Sequence, residues 1–207
     1  MNYDPRRHHR RSIRLKGYDY TQAGAYFVTI VTQDRAHLFG EVVNGDMRLN
    51  AFGVTVREEW FKTAALRPYV RLFDDEFVVM PNHVHGIIWI VDDGDDNVAT
   101  RRVAPTNDIA PTNGIAPTAT ATPRGPVSGS IGAIIGQFKS AAARRINALR
   151  GTPGASVWQR NYYEHIIRNE DALNRIRQYI ADNPRRWELD PENPAAQHPE
   201  PEDPWRT

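Results

Sequence analysis

The chain has 207 residues, no cysteine, and nearly balanced charge, with 26 Lys and Arg against 25 Asp and Glu. That length suits one domain with a sizeable core plus tails or an insertion, and the missing cysteines exclude disulfides, zinc–thiolate sites and iron–sulfur clusters and suit a reducing cytoplasm. No apolar run approaches a membrane span, and the charged N-terminus lacks the apolar stretch of a signal peptide.

Although the net charge is close to zero, the charges are segregated. Residues 1–20 form a basic arm with Arg6, Arg7, Arg10, Arg11, Arg14 and Lys16, whereas the 188–207 tail is proline-rich and acidic. A basic arm on a neutral protein points to phosphate as readily as to a solvated tail. Tyr18 and Tyr20 either stack on exposed bases or dock the arm on the domain.

Residues 25–32 are β-branched and aromatic on both alternations, which predicts a central strand buried on both faces. A small hairpin follows, with limbs at 38–43 and 47–49 and Asn44-Gly45 as its turn. Asn50 then predicts a helix N-cap, with Phe52, Val56, Trp60 and Ala64 on one stripe of a helix ending before Pro68. Phe77-Val78-Val79 and Ile87-Ile88-Trp89-Ile90-Val91 read as two buried strands around Met80-Pro81-Asn82-His83-Val84-His85-Gly86. Side chains two apart in a strand share a face, so His83 and His85 aim the same way and could form two corners of a metal site. The ordinary alternative is two histidines that merely start a half-buried strand.

Residues 92–126 open with Asp92, Asp93, Asp95 and Asp96 and continue into a short Ala-Pro-Thr repeat, a composition that predicts a flexible insertion into a domain made of 21–91 and 127–187. Ile131, Ile134, Ile135, Phe138, Ala142, Ile146 and Leu149 recur at helical spacing, and Lys139, Arg144 and Arg145 on the other faces are either a solvated surface or a phosphate track. Residues 157–167 read as a further strand. Asn169 caps a last helix, with Glu170 and Asp171 at its dipole-favoured end. The order strand, helix, strand, strand, helix, strand is that of an α+β, ferredoxin-like βαββαβ antiparallel sheet, here with an added hairpin and a C-terminal helix.

On that last helix Leu173, Ile176 and Ile180 form the buried stripe, with Tyr179 and Asn183 one turn apart along its edge. The Asn183 amide oxygen is a hard donor suited to a divalent cation, and a phenol one turn away is a nucleophile for a phosphate held there. Taken by themselves, Tyr179 is equally an amphipathic surface tyrosine and Asn183 a C-cap. Tyr162, Tyr163 and His165 supply a rival phenol and imidazole on a strand, where packing or base stacking is the commoner use.

Five segments together resemble the REP-associated tyrosine transposases, the single-tyrosine branch of the HUH endonucleases. They are Arg14 to Tyr20 with Gly24 to Thr29, Val79 to Gly86, Gly132 to Ser140, Trp158 to His165, and Tyr179-Ile180 with Asn183-Pro184. The resemblance implies that His83, His85 and Asn183 hold Mg²⁺ or Mn²⁺, and that Tyr179 cleaves and rejoins single-stranded DNA through a 5′-phosphotyrosine. It implies palindromic hairpin DNA of the repetitive extragenic kind as partner, bound by Arg10, Arg11, Arg14, Lys16, Lys139, Arg144 and Arg145. It also implies a monomer or homodimer in the cytoplasm, at the nucleoid, with no membrane partner. A silent hairpin-binding descendant and a water-using metal-dependent nuclease are the alternatives. The 92–126 insertion departs from the family pattern.

Overall fold

A computed structural model describes residues 18–92 and 125–198. The arm with Arg10, Arg11, Arg14 and Lys16, nearly all of the insertion, and the end of the acidic tail lie outside the described residues.

Strand β1 (Gly24–Val31) is buried from Ala25 onward and divides its side chains between two cores. Tyr26, Val28 and Ile30 enter one, while Ala25 and Phe27 enter the other. This is the pattern of a central strand packed on both faces. Strands β2 (Gly40–Val43) and β3 (Asp46–Leu49) pair as a separate hairpin. Its turn residues Asn44 and Gly45 have φ of 54° and 81°, as a type I′ connection requires.

Helix α1 (Ala51–Ala65) opens at Asn50, whose side chain accepts from the backbone N–H groups of Phe52 and Gly53. The approach to Met80 carries two short strands, β4 (Val70–Arg71) and β5 (Phe77–Val79), with a 3-10 turn at Asp74–Glu76 between them. Strand β6 (His83–Ile90) is buried at every position. Helix α2 (Ile131–Leu149) is capped by Ser130, and α3 (Glu170–Asp182) by Asn169. Between them β7 covers only Tyr163–Ile167, shorter than the 157–167 run predicted. Upstream, Trp158 makes an isolated bridge to Thr32, and its indole N–H is held by the Lys139 carbonyl at 3.1 Å, so this stretch packs as irregular chain.

The five-stranded sheet has the order β4-β6-β1-β7, with β5 also on β6, and all its pairings are antiparallel. With the hairpin set aside and β4 and β5 taken as one limb, the topology is the expected βαββαβ α+β arrangement. Helices α1 and α2 cover one face, where Trp60, Ile134 and Phe138 meet Val28, Val84 and Ile88. Gly86 is needed there because a Cβ would stand 2.5 Å from Trp60 Cζ2, so only a bare backbone lets the indole lie on the strand. Helix α3 takes the other face, setting Leu173, Ile176, Tyr179 and Ile180 on Phe27, Ile87 and Trp89. Each large apolar side chain so buried contributes roughly 1.5–3 kcal/mol.

Beyond α3 the start of the acidic, proline-rich tail is ordered against the domain. Asn183–Leu189 forms a 3-10 turn, and the following residues fold back, burying Asp190, Glu192 and Asn193. Asn82 Nδ2 donates to the Glu192 carbonyl at 2.7 Å, and Arg35 Nε meets the Glu192 carboxylate at 2.9 Å. These contacts join the start of the tail to the turn before β6. Among the described residues no helix is long and apolar enough to cross a membrane.

Candidate metal centre and active site

His83 and His85 start β6 on the face that α3 covers, as strand alternation predicts, while Val84 points to the opposite core. Their rings are held from behind. Asn82 Nδ2 donates to the carbonyls of Arg35 (3.2 Å) and Glu192 (2.7 Å), which fixes the amide and leaves Oδ1 to accept from His83 Nδ1–H at 2.8 Å. His83 Nε2 therefore carries a lone pair directed into the site. Across the sheet, Thr29 Oγ1 lies 2.9 Å from His85 Nδ1 and orients the second ring. The two Nε2 atoms converge to 3.0 Å. Two lone pairs at that distance repel, so one nitrogen carries a proton or a cation sits between them.

Asp190 completes the cluster: its Oδ2 is 3.6 Å from His83 Nε2, and the ligand atoms of His83, His85 and Asp190 all lie within 4.8 Å of one another. Asn183 is 2 % exposed, and its Oδ1 is buried without a hydrogen-bond partner. The residues fit a divalent cation on chemical grounds. An Nε2 separation of 3.0 Å matches the edge of an octahedron with bonds of about 2.1 Å. The cluster of two imidazoles and a carboxylate is a donor set able to hold a divalent cation.

Tyr179 arrives from α3. Its hydroxyl is 3.3 Å from His85 Nε2, and its ring stands edge-on to Phe27 at 6.1 Å and to His85 at 5.1 Å. An ion pair anchors the helix two residues before Tyr179: Glu76, fully buried at the end of the 3-10 turn, accepts from Arg177 Nε at 2.9 Å and from Trp89 Nε1 at 2.7 Å. Trp187 lies over the cluster with its ring 6.1 Å from that of His83, and it also meets His37 at 5.4 Å.

Thus His83, His85, Tyr179 and Asn183, singled out in the sequence, are all buried on or beside one end of α3 and the sheet face it covers. Tyr163 is opposite Thr29 on β7, and His165 is opposite Phe27, so both share the sheet face that α3 covers. Tyr162 packs on the other core. Sequence reasoning missed Asp190, Asn82, Thr29 and the Glu76–Arg177 pair. Asp190 is hidden among other acids in a proline-rich stretch, and Asn82 reads as an ordinary turn residue.

The predicted cations on α2 are used unequally. Burial pulls the Lys139 ammonium down to about 8, and its Nζ donates to the carbonyls of Gln159 (2.6 Å) and Arg160 (3.0 Å). Arg145 pairs with Glu58 at 2.6 Å and Glu59 at 2.7 Å. Arg144 is exposed and meets no carboxylate among the described residues.

A histidine, a bulky apolar residue and a histidine on a buried strand, next to a carboxylate and a tyrosine on a covering helix, define a HUH-motif α+β domain. No protein-family profile matches the chain. A Haemophilus influenzae protein named only "Uncharacterized protein" is 41% identical over 183 residues, covering 88% of this chain and 92% of its own length. The chain belongs to the family of that protein. It is also related at lower identity to a second Haemophilus influenzae protein, named "Putative REP-associated tyrosine transposase". That match is 27% over 170 residues, 80% of this chain and 73% of the relative. Among solved structures, a REP-associated tyrosine transposase bound to a REP hairpin superposes with a TM-score of 0.46 at 19% identity, over 82% of this chain and 72% of that one.

Proposed function

We propose that the protein is a metal-dependent single-strand DNA endonuclease and strand transferase that acts on hairpin DNA through a covalent tyrosine. The observation that carries this reading is the Tyr179 hydroxyl 3.3 Å from His85 Nε2, at the edge of a cluster of His83, His85 and Asp190. His83, His85 and Asp190 would hold the cation, with the Asn183 amide oxygen as a further donor. When bound, Mg²⁺ or Mn²⁺ supplies Lewis-acid polarisation of the scissile phosphate and lowers the pKa of a nearby hydroxyl.

The chain's own residues do the rest. Phe27 and His85 fix the phenol ring, and the Arg177–Glu76 pair fixes the helix that presents it. The Tyr179 oxygen forms a bond to phosphorus as the bond from phosphorus to the 3′ oxygen breaks. The phenol loses its proton and the departing 3′ oxygen gains one, so the DNA 5′-phosphate stays on the tyrosine and a 3′-hydroxyl is released. The P–O bond energy is kept in the phosphotyrosine, so a second 3′-hydroxyl can reverse the step and join strands. His83 and His85 are 0 and 2 % exposed, so a DNA phosphate reaches them only after the chain around the site opens locally.

The test incubates the protein with Mn²⁺ or Mg²⁺ and end-labelled single-stranded hairpins from the DNA flanking its gene, followed by a denaturing gel. A slow protein–DNA band that requires metal and is absent in Tyr179→Phe is expected. Cleavage without the band would replace this reading with a water-using nuclease, and binding without cleavage would replace it with a silent hairpin-binding protein.

A further inference from the structure

On the far side of the molecule from the histidines, α1 and α2 leave between them a groove of about 510 Å³. It is within the size range of ligand sites. Its wall includes Arg67, just past the end of α1, together with Arg144 and Lys62. Arg67 is 7 % exposed, yet among the described residues its one side-chain hydrogen bond goes from Nη1 to the Thr63 carbonyl at 3.1 Å, and it meets no carboxylate. A guanidinium has five N–H donors, and a buried charge is ordinarily paired. Arg144, from α2, is exposed and likewise meets no carboxylate among the described residues. Among the described residues of the wall the one acid, Glu59, is offset by Lys62 at 2.9 Å and Arg145 at 2.7 Å on the same oxygen.

The groove is also open where an anion would need room. A Cβ at Gly136 would have nothing within 4 Å, and the exposed Gln137 and Ser140 add neutral hydrogen-bonding groups beside it. From these features we infer that the α1–α2 groove is a phosphate-binding site, with Arg67 as its buried anchor and Arg144 as its outer clamp. Phosphate chemistry follows from the donors: two guanidiniums present planar forks that match tetrahedral oxyanions, and Arg is the residue for such recognition. The phosphate comes either from a nucleic-acid backbone or from a small phosphorylated ligand. The site stands apart from the tyrosine chemistry, since α1 and α2 cover the opposite sheet face.

Two measurements on the full chain distinguish these sources. Thermal unfolding is followed in inorganic phosphate and in chloride at matched ionic strength, for the wild type, Arg67→Gln, Arg67→Lys and Arg144→Gln. Fluorescence anisotropy follows the binding of a labelled single-stranded hairpin across a chloride series for the same proteins and for Tyr179→Phe. Phosphate should raise the wild-type midpoint, with the rise lost in Arg144→Gln and Arg67→Gln and partly kept in Arg67→Lys. If the source is a DNA backbone, the slope of log K against log salt falls by about 1 for each arginine removed and is unchanged in Tyr179→Phe. Phosphate protection with an unchanged salt slope assigns the site to a small phosphorylated ligand.

No phosphate protection and no change of slope in Arg144→Gln, which is exposed and needs no refolding of the core, would overturn the site. Loss of the tyrosine adduct elsewhere would leave this result standing, and the reverse also holds.

Discussion

Asn82 shows how much one residue decides. Its Nδ2 group is fixed by two carbonyls and its Oδ1 holds His83 Nδ1–H, so the amide sets which ring nitrogen faces the site. Such outer partners typically change metal affinity by about 10–100-fold. Asn82→Ala should therefore weaken Mn²⁺ binding by roughly that factor in a calorimetric titration. Unchanged affinity would mean that strand packing and Trp187 alone orient the ring. The His-x-His spacing is legible from the sequence because strand alternation is local. The role of Asn82 is not, because its two carbonyl partners come from Arg35 and Glu192, distant in the chain.

At the scale of elements, α3 is placed by an ion pair as well as by its apolar stripe. Glu76 is 0 % exposed and joins Arg177 to the Trp89 indole. Glu76→Ala strands the Trp89 N–H in the core and removes the nearer of the carboxylates that Arg177 meets, the other being Glu170 at 3.8 Å. Because Arg177 is 23 % exposed and can turn to water, the loss should be on the order of 3 kcal/mol, below the worst case for a broken buried pair. The urea midpoint measures it, and a loss under about 0.5 kcal/mol, the scale of an ordinary surface substitution, would show that the stripe alone seats the helix. The sequence shows the stripe of Leu173, Ile176 and Ile180 clearly. It does not single out Glu76, which follows Asp74 and Asp75 in a short acidic run.

At the scale of the whole molecule, the metal cluster joins the start of β6 to the returning tail, so occupancy should be felt as global stability. A cation that binds only the folded chain adds about 2.7 kcal/mol at a concentration a hundredfold above its dissociation constant. Mn²⁺ or Mg²⁺ should therefore raise the thermal midpoint reversibly, with chelator restoring the original value. His83→Ala and His85→Ala should abolish the rise. A rise that survives in both variants would place the ion elsewhere.

What the sequence by itself determined is the part governed by short-range periodicity. The two-sided burial of β1, the Asn44-Gly45 turn, the caps at Asn50 and Asn169, the common face of His83 and His85, and the βαββαβ order all follow from spacings within a few residues. Tertiary structure alone decided that Asp190, one acid in the proline-rich, acidic tail, is buried 3.6 Å from His83. It also decided that Lys139 is held by two backbone carbonyls while Arg144 is exposed and meets no carboxylate among the described residues. The physical reason is the same in each case: a charged side chain takes its role from its partners, and these partners come from other parts of the chain that only folding brings together.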